Sequence, residues 1–261
     1  KPTWFTERLW APADSQVPHW HHAAVANLSR GPSGLSCYPG TGLPSIDANT
    51  FFLADFVGTP ATSEVLTFRL EREGASYRLV EQSKFVERAL ITDIEFGPDG
   101  ALYLADWIHG WSGTGSGRIW RVTPKTPDDQ GAEVRRLLKA GFQGRPAGDL
   151  AEDLGHPDRR VRYQAQFGLV RRGPEGEKVF AETLEREEGR HACIHALWGL
   201  GQLAEKKRIG KVGTAACLNA FLAEEPEVRA QAAKVSRWLS GGGRLTARLV
   251  GCLQHSNPRV V

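Results

Sequence analysis

Hydrophobic and polar positions follow two different periods along this chain. In the first half, short runs alternate apolar and polar residues between Gly, Pro and Asp, which is typical of β-strands joined by turns. In the second half, apolar residues recur at the spacing of amphipathic helices. TPKTPDDQG (123–131) separates the halves with two prolines and a glycine. We predict a strand domain at 1–124, a linker at 125–145 and a helical domain at 146–261.

The strand half contains one pattern twice, about 50 residues apart. FFLADF (51–56) matches LYLADW (102–107), and TFRL (67–70) matches IWRV (119–122). A repeat of this length, with several short strands in each copy, is typical of β-propeller blades. We therefore predict about two four-stranded blades from the C-terminal end of a β-propeller. Because two blades cannot close a ring, we expect the missing blades upstream.

The helical half repeats as well, with alignment on Ala165, Ala196 and Ala232. The aligned stretches are HPDRRVRYQAQFGL (156–169), GRHACIHALWGL (189–200), EPEVRAQAAKV (225–235) and NPRVV (257–261). Several begin with a residue followed by Pro, which suits the first turn of a helix. Paired helices at this spacing predict a HEAT-like α-solenoid that is truncated at its C-terminus. The predicted fold class is mixed, a β-propeller fragment followed by an all-α HEAT-like solenoid.

Composition excludes several classes of protein. The net charge of +3 over 261 residues is small, and no basic run is long enough to follow a nucleic-acid backbone. No apolar stretch reaches the roughly 18 residues of a membrane span. The four cysteines form no C-x-x-C motif, so the chain contains no zinc-ribbon or haem-attachment motif. The chain begins KPTWF, without Met, and we interpret it as a fragment of a longer protein.

A candidate site follows from the predicted blades, because the loops after second strands and before first strands open on one face. We expect that rim to hold Asp55, Asp93, Asp106, Trp107, His109 and Trp111. Carboxylates gathered there could bind Ca²⁺, which takes oxygen ligands. Indoles could stack on a flat quinone or a sugar ring, and His109 could move a proton near neutral pH.

A structural interpretation competes with each of these roles. Asp55 and Asp106 match each other, and a residue present in both copies favours capping of backbone N–H groups at the strand end. Phe56 and Trp107 also match, which favours packing between the copies. His109 and Trp111 have no counterpart in the first copy. These two residues are therefore the better functional candidates.

Two pairs of histidines have the spacing of metal ligands. His19 and His21 would share one face of a strand, and imidazole suits zinc or copper. His191 and His195 would share one face of a helix, but without the Glu of H-E-x-x-H. A solvated segment is the favoured interpretation of the first pair, and packing between helices is favoured for the second.

Several stretches together resemble a known family. They are GPSGLSCYPGTGLP (31–44), FFLADF (51–56), TDIEFGPDGALYLADWIHGW (92–111), GRIWRV (117–122), HPDRRVRYQAQFGL (156–169) and HALWGLGQL (195–203). In this order they resemble the haem-binding, membrane-bound-dehydrogenase-type proteins of planctomycete-like bacteria. The propeller of that family is similar to glucose and sorbosone dehydrogenases. The resemblance covers approximately residues 30 to 261.

The resemblance implies a secreted or periplasmic protein whose propeller uses pyrroloquinoline quinone (PQQ) and Ca²⁺. It also implies a cytochrome c segment with C-x-x-C-H after the helical repeats. That segment is absent from this chain, so haem c is assigned to no residue here. The catalytic base of the related sugar dehydrogenases lies on an earlier blade, so the catalytic residues of this chain are unknown.

Two functional hypotheses remain open. In the first, the chain is part of a quinoprotein-like dehydrogenase that oxidises a sugar or alcohol and passes electrons to the haem, and the fragment alone is inactive. In the second, it is a non-catalytic scaffold that binds proteins or carbohydrates. Arg162, Arg190 and Arg229 recur near the starts of the second helices. They form either salt bridges between repeats or a docking surface for an acidic protein partner.

Overall fold

The computed structural model of this chain describes residues 25–112, 115–126, 129–240 and 242–261. In these ranges seven β-strands precede eight α-helices, so the chain is mixed α and β. None of the described helices is long and apolar enough to cross a lipid bilayer. His19 and His21, the candidate zinc or copper ligands, lie outside the described residues.

The strands pair into two separate antiparallel sheets. They are β1 Pro32–Cys37, β2 Thr50–Asp55, β3 Glu64–Glu73, β4 Ser76–Glu87, β5 Ile91–Phe96, β6 Leu102–Asp106 and β7 Arg118–Val122. The first sheet has the order β1-β2-β3-β4 and the second has the order β5-β6-β7. Both first strands shift register at the same place, between Pro32 and Gly34 in β1 and between Ile91 and Asp93 in β5. The internal repeat therefore extends to the pairing of the strands.

The predicted fold class, a β-propeller fragment followed by an all-α HEAT-like solenoid, is wrong. The structure shows two small open sheets, of four and three strands, that do not close into a ring. Among the described residues no fourth strand pairs with β7, because Pro124 cannot donate to a strand ladder and the chain turns into a helix. The repeat in the sequence corresponds to successive antiparallel strands in each sheet. It carries no information about closure of a ring.

The two sheets share an apolar core and hold each other through their first strands. Phe52 of β2 meets Phe96 of β5 edge to face, with ring centroids 5.4 Å apart. The Ser33 hydroxyl donates to the Ile91 carbonyl at 3.0 Å. A Cβ atom at Gly34 would lie 2.8 Å from the Cα of the facing residue on β5, so only glycine allows this approach. This contact sets the relative position of the loops at the strand ends.

The helices follow the sheets in chain order. They are α1 Asp129–Ala140, α2 Ala147–Asp153, α3 Arg159–Arg171, α4 Pro174–Glu185, α5 Arg190–Glu205, α6 Lys211–Asn219, α7 Pro226–Val235 and α8 Gly242–Cys252. The repeated stretches form α3, α5 and α7. Ala165, Ala196 and Ala232, on which the repeats align, are fully buried in these helices.

Helix α1 lies inside the segment that the sequence predicts as a linker. EVRRLL (133–138), which the sequence allows as a strand or as a helical turn, is the middle of α1. Val134 and Leu137 are buried in the apolar core that continues through the later helices. The buried face of this helix explains why it forms where Pro and Asp suggest a linker. The predicted domain limits remain a prediction.

Among the polar contacts that join the strand half to the helices, two involve acids at helix N-termini. The Thr41 hydroxyl donates to the carboxylate of Asp158, the N-cap of α3, at 2.5 Å. Arg72 of β3 forms an ion pair of 2.7 Å with Glu227 in the first turn of α7. Both acids lie at helix N-termini, where a negative charge is favourable.

Candidate functional site

The predicted rim residues lie mostly at the ends of two matched strands. Asp55 is the last residue of β2, and Asp106 is the last residue of β6. The residue that follows each strand donates its backbone N–H to a carbonyl at the matching position of the repeat. Phe56 donates to Gly31 at 2.7 Å, and Trp107 donates to Leu90 at 3.0 Å. The two loops therefore leave their sheets in the same way.

The buried carboxylate of Asp55 has a structural role. Oδ1 accepts the backbone N–H groups of Arg30 at 3.0 Å and of Gly31 at 2.8 Å. The Arg30 guanidinium lies 4.0 Å from the other carboxylate oxygen. Asp55 thus fixes the segment that leads into β1, as the capping interpretation predicts.

Asp106 organises the loop that carries the unrepeated residues. Its Oδ1 accepts the backbone N–H of Ile108 at 2.9 Å, and its Oδ2 accepts the indole N–H of Trp120 at 2.9 Å. The Arg118 guanidinium pairs with Oδ2 at 3.0 Å and also lies 4.8 Å from the centre of the Trp120 ring. Residues of β7 therefore hold the carboxylate from which the next loop starts. Sequence reasoning missed this use of Trp120 and Arg118.

The loop after Asp106 has a strained backbone. Ile108 has φ of 53°, in the left-handed region that a β-branched residue rarely adopts. Gly110 has φ of 58°, and a Cβ there would lie 2.8 Å from Leu90 Cδ2. Strain of this kind persists only where surrounding contacts enforce it, and here the bond from Ile108 N–H to Asp106 does so. These contacts hold the loop backbone at Ile108 and Gly110.

Three rings form a continuous aromatic surface at this end of the sheets, which we call the aromatic ledge (Phe56, Trp107 and Trp111). Phe56 and Trp107 stack with centroids 6.0 Å apart and planes 19° from parallel. Trp111 meets Trp107 edge to face at 4.7 Å. Phe56 and Trp107 are half-buried, while Trp111 is 79% exposed. The repeated pair packs together as predicted, and the unrepeated Trp111 extends it into solvent.

The structure does not bring all six predicted residues into one cluster. His109 is exposed on the same loop as Trp111, and its backbone N–H donates to the Trp107 carbonyl at 2.6 Å. Asp93 is also exposed, but its carboxylate accepts the N–H of the next residue, Ile94, at 2.8 Å. Within the described residues the Asp93 carboxylate forms no hydrogen bond or ion pair with a residue of the ledge.

The carboxylates at this rim do not fit the predicted calcium site. Each of Asp55 and Asp106 already accepts two N–H groups and faces a guanidinium, which a cation would have to displace. In the described ranges no three His, Cys, Asp or Glu side chains are grouped closely enough to hold a metal ion. PQQ and haem c remain predictions from the resemblance.

The histidine pair on α5 serves packing. His195 is buried, and its Nδ1 bonds to Gln166 Oε1 at 2.8 Å. Arg162 Nε donates to its Nε2 at 3.3 Å, so the neutral ring carries its proton on Nδ1. Burial, together with the charges of Arg162 and His191, lowers the pKa of His195 to about 3. Both ring nitrogens are therefore occupied, and His191 is exposed.

Comparison of the chain with family models, with curated proteins and with solved structures found no match. The resemblance to dehydrogenase-type proteins therefore remains a prediction from the sequence.

Proposed function

We propose that this chain is a non-catalytic binding module that holds a sugar ring against the aromatic ledge. The observation that carries the proposal is the 79% exposure of Trp111, an indole packed edge-on against the half-buried Trp107. A large aromatic side chain left in water is informative, because burial normally stabilises it. A ligand with a flat apolar face would recover that stabilisation.

A sugar ring matches the chemistry of this surface. Its C–H groups form an apolar face that can stack on an indole, and its hydroxyls require polar partners at the edge. His109 supplies an exposed donor and acceptor two residues before Trp111 in the same loop. A mostly apolar surface with few polar groups is the usual composition of a small-ligand site.

The rigid loop also favours ligand binding. Asp106 bonds to Ile108 N–H, and Gly110 packs directly against Leu90, so Trp111 starts from a fixed position. These contacts reduce the entropic cost of ordering the loop when a ligand binds. A shallow surface of this kind is expected to bind weakly, with a dissociation constant of about 1 mM or about 4 kcal/mol.

Titration of soluble glucose, xylose and N-acetylglucosamine oligosaccharides, followed by tryptophan fluorescence and calorimetry, tests the proposal. We expect at least one class to bind to the wild type and to lose binding in Trp111→Ala. Ile119→Ala is the matched control, since Ile119 is similarly exposed but lies on β7. The proposal is abandoned if no oligosaccharide binds, or if Trp111→Ala binds as well as the control.

The dehydrogenase hypothesis remains a separate prediction that rests on the resemblance. It requires the upstream part of the parent protein, where a catalytic base would lie. Dye reduction by the full-length parent, supplied with PQQ, calcium and a panel of sugars and alcohols, distinguishes the two hypotheses. Turnover would favour the dehydrogenase, whereas sugar binding without turnover would favour the binding module.

A further inference from the structure

A groove of about 940 Å³ opens at one edge of the helices, far along the chain from the ledge. It lies between the pair α4–α5 and the pair α6–α7. Apolar side chains at its surface include Leu184, Cys193, Val212, Ala216, Leu222 and Val228. Val212 and Leu222 are each 59% exposed, which places two large aliphatic side chains in water on adjacent elements. Neighbouring exposed apolar groups of this kind mark interaction surfaces.

One repeat that borders the groove lacks an arginine that its neighbours have. Cys193 in α5 aligns with Arg162 in α3 and Arg229 in α7. Arg162 donates to the Pro157 carbonyl at 2.7 Å, and Arg229 donates to the Ala223 carbonyl, so each arginine fills the space beside the preceding loop. The side chain of Cys193 is too short to do this. Cys193 lines the groove, so no arginine side chain fills this part of it.

A second small residue, Gly189, lies in the same part of the groove lining. The N-cap of α5 is Gly189, whereas Asp158 and Glu225 cap the equivalent helices α3 and α7 with their side chains. A Cβ atom at Gly189 would meet no atom within 4 Å. Both of these differences from the neighbouring repeats occur in the repeat that borders the groove.

The rim of the groove is acidic. Its charged residues are Glu185, Glu187, Glu224 and Glu225, against the single cation Arg190. Glu225 accepts the backbone N–H of Glu227, but Glu185, Glu187 and Glu224 form no ion pair with any described residue. Like charges without counterions repel one another, so a cationic partner would be attracted.

The walls of the groove favour a helical partner over an extended one. All of them are helices or helix ends, whose backbone groups bond mainly within the helix, and none offers the free edge of a sheet. An extended peptide would leave its own N–H and C=O groups unpaired against apolar side chains. A helix satisfies its backbone internally and presents one apolar face.

We infer that this groove binds a basic amphipathic helix of a partner protein. The apolar face of that helix would contact Val212 and Leu222, and its Lys or Arg residues would pair with Glu187 and Glu224. This surface is independent of the aromatic ledge. The chain would therefore bind a protein through its helices and a sugar through its sheets.

The direct test uses a fluorescein-labelled peptide of about 14 residues, or about four helical turns, with Leu at i, i+3, i+4 and i+7 and Lys elsewhere. Fluorescence anisotropy should show binding in the range of about 10 µM. The affinity should fall as ionic strength rises from about 0.05 M to about 0.5 M, because salt screens exposed charges. A scrambled peptide of the same composition, with leucines around the whole helix, should bind much more weakly.

Two variants locate the binding site. Glu187→Lys combined with Glu224→Lys reverses the rim charge and should weaken peptide binding by about tenfold or more. The matched control, Glu152→Lys combined with Glu205→Lys, makes the same change at exposed acids outside the groove and should have no effect. Cys193→Arg restores the arginine of the neighbouring repeats, fills the groove and should also weaken binding. Circular dichroism and thermal melting confirm that each variant folds.

Several results would overturn the inference. They are equal binding of the ordered and scrambled peptides, an unchanged affinity in a folded Glu187→Lys, Glu224→Lys variant, and peptide binding that Trp111→Ala abolishes. A concentration-dependent dimer that the rim variant dissociates would instead assign the groove to a second copy of this chain. Loss of sugar binding in Trp111→Ala with intact peptide binding would support both proposals separately.

Discussion

The indole N–H of Trp120 donates a hydrogen bond of 2.9 Å to the carboxylate of Asp106, so one strand of the second sheet holds the acid that shapes the neighbouring loop. The same carboxylate accepts the N–H of Ile108 and pairs with Arg118. Asp106 therefore links β6, β7 and the aromatic ledge. Its removal should affect both stability and ligand binding.

We expect Asp106→Ala to lower the free energy of unfolding by about 1–3 kcal/mol, because the half-buried Ile108 N–H and the more exposed Trp120 and Arg118 all lose the buried carboxylate that they contact. Urea denaturation measures the change. The control is Asp93→Ala, at an exposed acid that bonds only to the next N–H, where a change within about 0.5 kcal/mol is expected. Equal losses in the two variants would contradict this role for Asp106.

Substitution of Ile108 should relieve the strained loop. Asn tolerates the left-handed conformation that Ile108 adopts at φ of 53°, so Ile108→Asn should raise the free energy of unfolding by about 1 kcal/mol. The same change at Ile119, an exposed strand position, should lower it slightly because Asn is a poor strand former. A clear loss of stability in Ile108→Asn would show that the strain is absent.

The buried His195 should make stability depend on pH. Burial lowers its folded pKa to about 3, while the unfolded chain protonates this residue near its ordinary value of 6.5. The unfolded state therefore binds more protons between these values, and stability falls as pH drops below 6.5. His195→Gln should remove up to about 1 kcal/mol per pH unit of this slope between about pH 6 and pH 5. An unchanged slope would mean that His195 titrates normally in the folded protein.

Asp158 should be the most sensitive link between sheets and helices. Burial alone would raise the pKa of this carboxyl, but the hydrogen bonds and charge of Arg160 and the bond from Thr41 lower it below its ordinary value. Its contribution is therefore present above the unfolded pKa and is lost as pH falls through the folded pKa. We expect Asp158→Asn to cost about 2–4 kcal/mol at pH 7, and the difference from the wild type to shrink in strong acid.

Asp129→Asn is the matched control for Asp158, since Asp129 is exposed in the first turn of α1. Its stability should stay within about 0.5 kcal/mol of the wild type at both pH values. Thr41→Val, which removes one donor to Asp158, should have an intermediate effect. A loss of stability in Asp158→Asn that does not change with pH would contradict a role for the ionised carboxylate and would assign the loss to packing.

Part of the candidate site could be predicted from its residues. Trp111 stood out because the first copy of the repeat has no equivalent, and the structure leaves it exposed beside Trp107. The exposed Asp93 and the buried Asp106 could not be distinguished in this way. The structural role of Asp106 depends on its contacts with Trp120 and Arg118, which lie on another strand. Likewise, Cys193 is visibly unlike Arg162 in the alignment. Whether that difference opens a groove depends on how neighbouring helices pack.

By itself, the sequence determined the matched strands, the helices of the repeated stretches and the internal repeats, since these follow from side-chain period, turn residues and caps over a few neighbours. Only the tertiary structure decided that the sheets stay open, that Asp55 and Asp106 are occupied by N–H groups, and that an aromatic ledge and an acidic groove form. Those features depend on distances between residues far apart in the chain. A periodic pattern specifies which face of an element is apolar, but packing decides what that face meets.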